Sequence, residues 1–414
     1  MSDDPVPTAP PPRFDCFDGL RAVAAIAVVF HHTAYATGAT FRDWRGTGDF
    51  LARMDVGVAI FFLISGFLLY RPFAAAALGG HPRPSTGSYF RRRFLRIFPA
   101  YWAALIGIAV FIGFFPGQDL DGIWSWISHL FLVQVFQPDQ FYRGITQAWT
   151  LHTELSFYLF LPAYAWAMRA ALVRFRIASP LRAEAIGLVV LTLIALSFNA
   201  LIQSGWSQYL SEVGKAWLPA NLDLFALGMG LAVASVAAAD HVKVSSITAR
   251  VGRIGTWWWL IAAAAFWVVS KPLGLSTDIP TTPDIGVARY LEHIFYGLVA
   301  LCLLLPAVFG TERRGVVRGF LRFAPVAWVG VVSYGIYLWH QGWIKQAQTW
   351  TDSGAFQGAF WDVLAITLAA TIPTAALSYY LLERPLLRRW SRRRPGRASG
   401  RAATPPDRVG RSSA

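Results

Sequence analysis

Charge is scarce in this chain. Only 14% of its 414 residues are Asp, Glu, Lys or Arg, where soluble globular proteins average about a quarter. Cysteine is scarcer still: Cys16 and Cys302 are the only two, which excludes the disulfide framework that staples small secreted domains. The opening residues MSDDPVPTAPPPR lack the basic start and apolar stretch of a secretory signal. Phosphate-loop, dinucleotide-fold and zinc-protease signatures are absent, so no metal site is predicted. Gly-x-Ser-x-Gly is absent too, and Ser65 in LISGFLL reads as a small residue that lets helices approach closely. No internal repeat is visible, which argues against a repeat-built transporter, the competing function class.

Apolar residues, at 55%, are what the chain has in plenty. Runs of about 20 recur from residue 17 to residue 382, the length a helix needs to cross a bilayer. Ten spans are predicted, at 17–37, 56–77, 98–115, 148–169, 184–203, 218–238, 254–270, 287–308, 326–345 and 360–382. The expected architecture is an all-α, polytopic integral membrane bundle. Its predicted parts are a Pro-rich polar N-terminus (1–16), a transmembrane domain (17–386) and a basic, disordered tail (387–414). With both termini cytoplasmic, most of the 37 Lys and Arg fall inside, leaving Arg42, Arg45, Arg53, Arg143, Lys215, Lys271, Arg289 and Lys345 outside. This is the asymmetry that sets membrane orientation. The net charge of +14 therefore reads as topology and not as a nucleic-acid footprint. The outer segment 116–147 contains the amphiphilic GIWSWISHLFLVQVF, expected to lie on the membrane or re-enter it, and TWWWL (256–260) reads as an interfacial anchor.

Charge inside a span is costly, and the first span carries it at both ends. Arg21 and His32 lie eleven residues apart, which on an α-helix returns to within about 20° of one face after a rise of roughly 16–17 Å. His31 points about 100° away. That separation matches an extended pantetheine arm, with a cation at one end and an imidazole at the other. The plainer alternative has Arg21 snorkelling to the inner interface and the histidines making packing contacts.

Several segments, in order, resemble the acyltransferase-3 family of bacterial membrane acyltransferases. FDGLRAVAAIAVVFHH is similar to the family's opening segment, and only Arg21 and His32 satisfy its arginine-to-histidine spacing. GVAIFFLISGFLLYRPF resembles the second-span signature, although Ala59 stands where an acid is frequent and Asp55 lies upstream. YFRRRFLRIFPAYW supplies Arg93 and Arg96 as the paired arginines. QAWTLHTELSFYLFLP supplies Glu154, with Thr150 in place of Ser, and VSYGIYLWHQ and SYYLLERPL match His340 and Glu383–Pro385.

The resemblance implies transfer of an acyl group, acetyl by default, from cytosolic acyl-CoA to a hydroxyl of a carbohydrate, glycolipid, cell-envelope or macrolide-like acceptor. It implies a bacterial inner membrane, acyl-CoA as co-substrate and no tightly bound cofactor. Arg21, Arg93 and Arg96 are expected to hold the donor. His32 would act as base or acyl carrier with Glu154 supporting it, and His340 and Tyr337 would shape the acceptor pocket. His152 is expected at the interface. Asn221, Asp223 and His293 are expected to be structural, and Glu383 to pair locally with Arg384 or to stop its helix. Many relatives carry a further extracytoplasmic hydrolase-like domain, which the short tail leads one not to expect here.

Overall fold

The computed structural model describes residues 14–41, 46–271, 273, 285–310 and 315–391. The Pro-rich start and most of the basic tail lie outside the described residues. Those described form helices and their connections, with no strand among them. The principal helices are α1 (Phe17–Ala36), α2 (Gly57–Leu78), α3 (Thr86–Gly107), α4 (Gly122–Leu130), α5 (Trp149–Arg174), α6 (Pro180–Gln203) and α7 (Leu218–Asp240). They continue with α8 (Val242–Arg253), α9 (Gly255–Ser270), α10 (Val287–Phe309), α11 (Ala324–Val331), α12 (Ser333–Trp350), α13 (Phe360–Ser378) and α14 (Arg384–Ser391).

Seven helical stretches among the described residues are long and apolar enough to cross a membrane: Gly48–Leu78, Thr86–Ile112, Thr146–Arg174, Pro180–Gln203, Gln208–Asp240, Val287–Phe309 and Phe360–Arg389. The bent pair α8–α9, with a 69° angle at its break, makes an eighth if it is one span. The two other expected spans coincide with α1 and with α11–α12, which are helical but fall outside that set. Each carries histidine within its apolar run, and the second is broken at Val332. The first residues of the expected tail continue as α14.

Small residues set the packing, because lipid removes the hydrophobic drive between helices and leaves close van der Waals fit. Where α2 crosses α7, a Cβ added at Gly66 would stand 2.3 Å from the Phe225 carbonyl oxygen, and one at Gly228 would stand 2.1 Å from that of Leu63. Helix α1 is buried in the same way. Gly19 abuts the Leu321 carbonyl, Gly57 that of Ala24, and Gly330 that of Asp18. The first helix thus packs against α2, α11, α12 and α13. The outward surface is apolar, as on α6, where Ile186, Val189, Val190, Leu193 and Ile194 form an exposed stripe at helical spacing.

Segment 116–147 docks on the bundle: the Tyr101 hydroxyl donates to the His129 carbonyl (2.7 Å) and the Trp102 indole to that of Leu130 (2.9 Å). Trp124 on α4 stays exposed. Within TWWWL, Trp257 is exposed, while Trp258 and Trp259 donate to the carbonyls of Val251 and Leu303. Cys16 and Cys302 are buried free thiols.

Candidate active site

One turn of α3 aims two guanidinium groups inward. Arg93 and Arg96, at i and i+3, share a face, while Arg91 and Arg92 are exposed on the other. Arg93 lies over the Tyr158 ring, 5.7 Å from its centroid, and its Nε is buried without a hydrogen-bond partner. Arg96 lies over the Tyr334 ring at 5.5 Å and meets Glu383 Oε2 at 3.3 Å. Glu383 was expected to pair with Arg384 beside it or to stop its helix, and the helix continues past it as α14. Instead the π-turn Tyr379–Glu383 turns its carboxylate inward to Arg96, and Arg384 lies over Tyr380. Arg21 joins from α1, held by Asp18 at 2.8 Å.

Helix α5 contributes the acid. Glu154 Oε1 accepts from Ser65 Oγ of α2 at 2.9 Å and from the Tyr158 hydroxyl, one turn on, at 2.6 Å. Helix α12 closes the chamber: the Tyr337 hydroxyl donates to the Gln147 carbonyl at 3.0 Å and lies 2.7 Å from Thr150 Oγ1, and the Tyr334 hydroxyl donates to that of Ile97 at 2.9 Å. Together these groups line one cavity of about 120 Å³ that includes Arg21, Arg93, Arg96, Glu154 and Tyr337, with apolar walls from Phe61, Phe62 and Leu68.

Beyond Tyr337 sit the two histidines. His32 Nδ1 and His340 Nε2 are 2.9 Å apart, and the His340 ring lies 5.9 Å from that of Tyr337. His340, expected at the acceptor pocket, is fully buried beside His32, and neither imidazole lines the cavity. The expected support of His32 by Glu154 does not take the form of a direct bond: α1 packs on α2 and α12, and Glu154 is committed to Ser65 and Tyr158.

Sequence reasoning missed Ser65, Tyr158 and Tyr334 as cavity residues. The available signals were weak: a hydroxyl beside the close-packed Gly66, and tyrosines one turn from Glu154 and Tyr337. Other singled-out residues lie apart from the cavity. His152 is buried and bonded to the Leu132 carbonyl. His293 pairs with Asp223 at 2.8 Å. Asn221 donates to the carbonyls of Lys215 and Trp217. Asp55 accepts from Tyr296 in a network with Glu292 and Arg53.

An all-helical bundle of membrane-length helices, enclosing a chamber with arginines, a carboxylate and an adjoining imidazole pair, has the makings of an enzyme embedded in a membrane. Residues 14–383 match the family model of the acyltransferase domain, and the chain belongs to this acyltransferase-3 family. It is similar to the acyltransferase MdmB of Streptomyces mycarofaciens, with 26% identity over 95% of each chain. It also resembles the putative peptidoglycan O-acetyltransferase YrhL of Bacillus subtilis (22% identity, 89% of this chain) and the peptidoglycan O-acetyltransferase OatA of Listeria monocytogenes (24%, 89%). The chain spans 54% and 55% of those two relatives. No solved structure matches it. The protein is a membrane acyltransferase of the O-acyl-transferring kind.

Proposed function

We propose that the protein moves an acyl group, acetyl by default, from cytosolic acyl-CoA to a hydroxyl of a carbohydrate, glycolipid, cell-envelope or macrolide-like acceptor. It would work in a bacterial inner membrane with ten crossings and both termini inside. The observation that carries this reading is the shared chamber: three arginines and Glu154 line one cavity, and α1 runs from Arg21 at that cavity to His32. Guanidinium forks suit phosphates, because paired charge-assisted hydrogen bonds fit their geometry. Arg93, whose Nε has no hydrogen-bond partner, has capacity to spare for such a ligand.

In the proposed step, His32 takes the acceptor's hydroxyl proton as its oxygen bonds to the thioester carbonyl carbon. The C–S bond then breaks, and the departing thiolate receives that proton from the imidazolium. In the covalent variant the imidazole carries the acyl group first. Tyr337, between cavity and histidine pair, borders the place where donor and acceptor would meet.

Arg93→Gln is expected to raise the acetyl-CoA KM about ten- to a hundredfold, the worth of a hydrogen bond between charged groups, with kcat changed less than about threefold. Initial rates in nanodiscs measure both. For the function itself, purified protein is given radiolabelled acetyl-CoA and a cell-envelope extract. Label appearing in hydroxyl esters supports the reading. No turnover of acetyl-CoA or longer acyl-CoAs by folded protein overturns it, and solute flux without thioester use would make the protein a transporter.

A further inference from the structure

The two histidines carry a proton-placement problem that the hydrogen bonds solve. His340 Nδ1 lies 3.1 Å from the carbonyl oxygen of Ile336, one turn back on α12. A carbonyl oxygen only accepts, so Nδ1 of His340 bears the hydrogen. A neutral imidazole has one N–H, which leaves Nε2 of His340 as a lone-pair acceptor. Its neighbour at 2.9 Å is His32 Nδ1, which must then be the donor. A neutral His32 holding its hydrogen on Nδ1 has its own lone pair on Nε2, at the far side of the ring.

We propose that His340 is a positioning residue that holds His32 in the Nδ1–H tautomer, so that Nε2 of His32 is the atom that takes the acceptor's proton. The inference rests on the reading of His32 as base and adds what orients it. When Nε2 gains that proton, the Nδ1–H of the imidazolium keeps its acceptor in His340, whose lone pair stabilises the charge on His32. Orienting a catalytic imidazole through its other nitrogen is usually the work of a carboxylate, and here Glu154 is engaged with Ser65 and Tyr158. His31 does not supply the acceptor: its ring stands edge-on to His32 at 5.0 Å, and its Nδ1 is buried without a partner. The Val28 carbonyl, one turn back on α1, also faces the His32 ring and, like His340 Nε2, can only accept. The burial of His340 fits a group that acts through another and does not touch the acceptor.

The test compares His340→Leu with His340→Gln, whose amide oxygen can accept from His32 and whose NH2 can donate to Ile336. The Leu variant is expected to lose about 10²-fold in kcat, with acetyl-CoA KM within about twofold, because only the proton-transfer step loses its orientation. The Gln variant is expected to recover to within about fivefold of wild type. Nitrogen spectra of ¹⁵N-histidine protein, with the His32 signal identified by its loss in His32→Ala, should show Nδ1 protonated and Nε2 bare, and a tautomer mixture in His340→Leu. Finding Nε2–H on His32 in the wild type overturns the inference whether or not the variants fold. So does wild-type kcat in folded His340→Leu while His32→Ala is inactive. An active His32→Ala would instead remove the base reading underneath.

Discussion

Replacing His32 by alanine is expected to lower acyl transfer by about 10²–10⁴-fold, the contribution of a positioned general base, in protein that remains folded and inserted. Alanine is the best helix former and fits α1 without strain. The structural cost is the bond to His340, whose Nε2 is left without its partner, worth about 1–3 kcal/mol. His31→Ala is the matched control: its ring points to another face of α1, and activity is expected within about threefold of wild type. Radiolabelled acetyl-CoA turnover, read beside size-exclusion profiles of both variants, separates chemistry from folding. Acetyl label trapped on the wild type and missing from His32→Ala would assign the covalent variant. Full activity in folded His32→Ala would remove His32 from the chemistry.

Gly228→Leu is expected to be a severely damaging packing change. A Cβ there would stand 2.1 Å from the Leu63 carbonyl oxygen and 2.8 Å from the Phe67 backbone nitrogen. Neither is a side chain that can rotate aside, so α2 and α7 must separate. Overpacking a core commonly costs 1–3 kcal/mol, and a backbone-on-backbone clash is placed at about 3 kcal/mol or above. The damage should reach the cavity, because Phe225 on α7 stacks on Phe157 with ring centroids 4.0 Å apart and on Phe62, which lines the chamber. Loss of the monodisperse peak in detergent, or a thermal midpoint many degrees lower, is the expected result. Gly87→Leu, where nothing lies within 4 Å, should behave as wild type. Equal midpoints for the two variants would show that the crossing tolerates separation.

What could be read from the sequence divides along local and non-local lines. Arg93 with Arg96 were legible through the family resemblance, which singles out that pair among four neighbouring arginines, and Arg21 with His32 because helical periodicity puts both on one face. The all-helical, apolar architecture was legible for the same reason. The partners of Glu154 and His340 were not, since Ser65 lies 89 residues from Glu154 and His32 lies 308 from His340. Helix packing brings them together, and that packing is set by where glycines let backbones touch. Glu383 misled because its nearest cation in sequence is Arg384, while the π-turn redirects its side chain to α3. Neither α1 nor α12 is apolar enough to stand among the membrane-length stretches: Asp18, Arg21, His31 and His32 lower the hydropathy of α1, and His340, Gln341, Lys345, Gln346 and Gln348 that of α12.

The pairing of Arg96 with Glu383 bears on how the protein comes into being. The cavity's arginine wall on α3 is translated early, yet its carboxylate counterpart follows 287 residues later. Helix α1, carrying Arg21 and His32, likewise waits for α11, α12 and α13 before it is enclosed. Chains are built from the amino end at about 5–20 residues per second, so at the slow end of that range close to a minute separates Arg96 from its partner. A nascent chain therefore exposes its guanidinium groups to lipid headgroups long before it possesses a chamber. The chamber's last lining residues, Ser333, Tyr334 and Tyr337, arrive on α12, and a ribosome that stalls short of them leaves a membrane protein with the early motifs of an enzyme and an unclosed cavity.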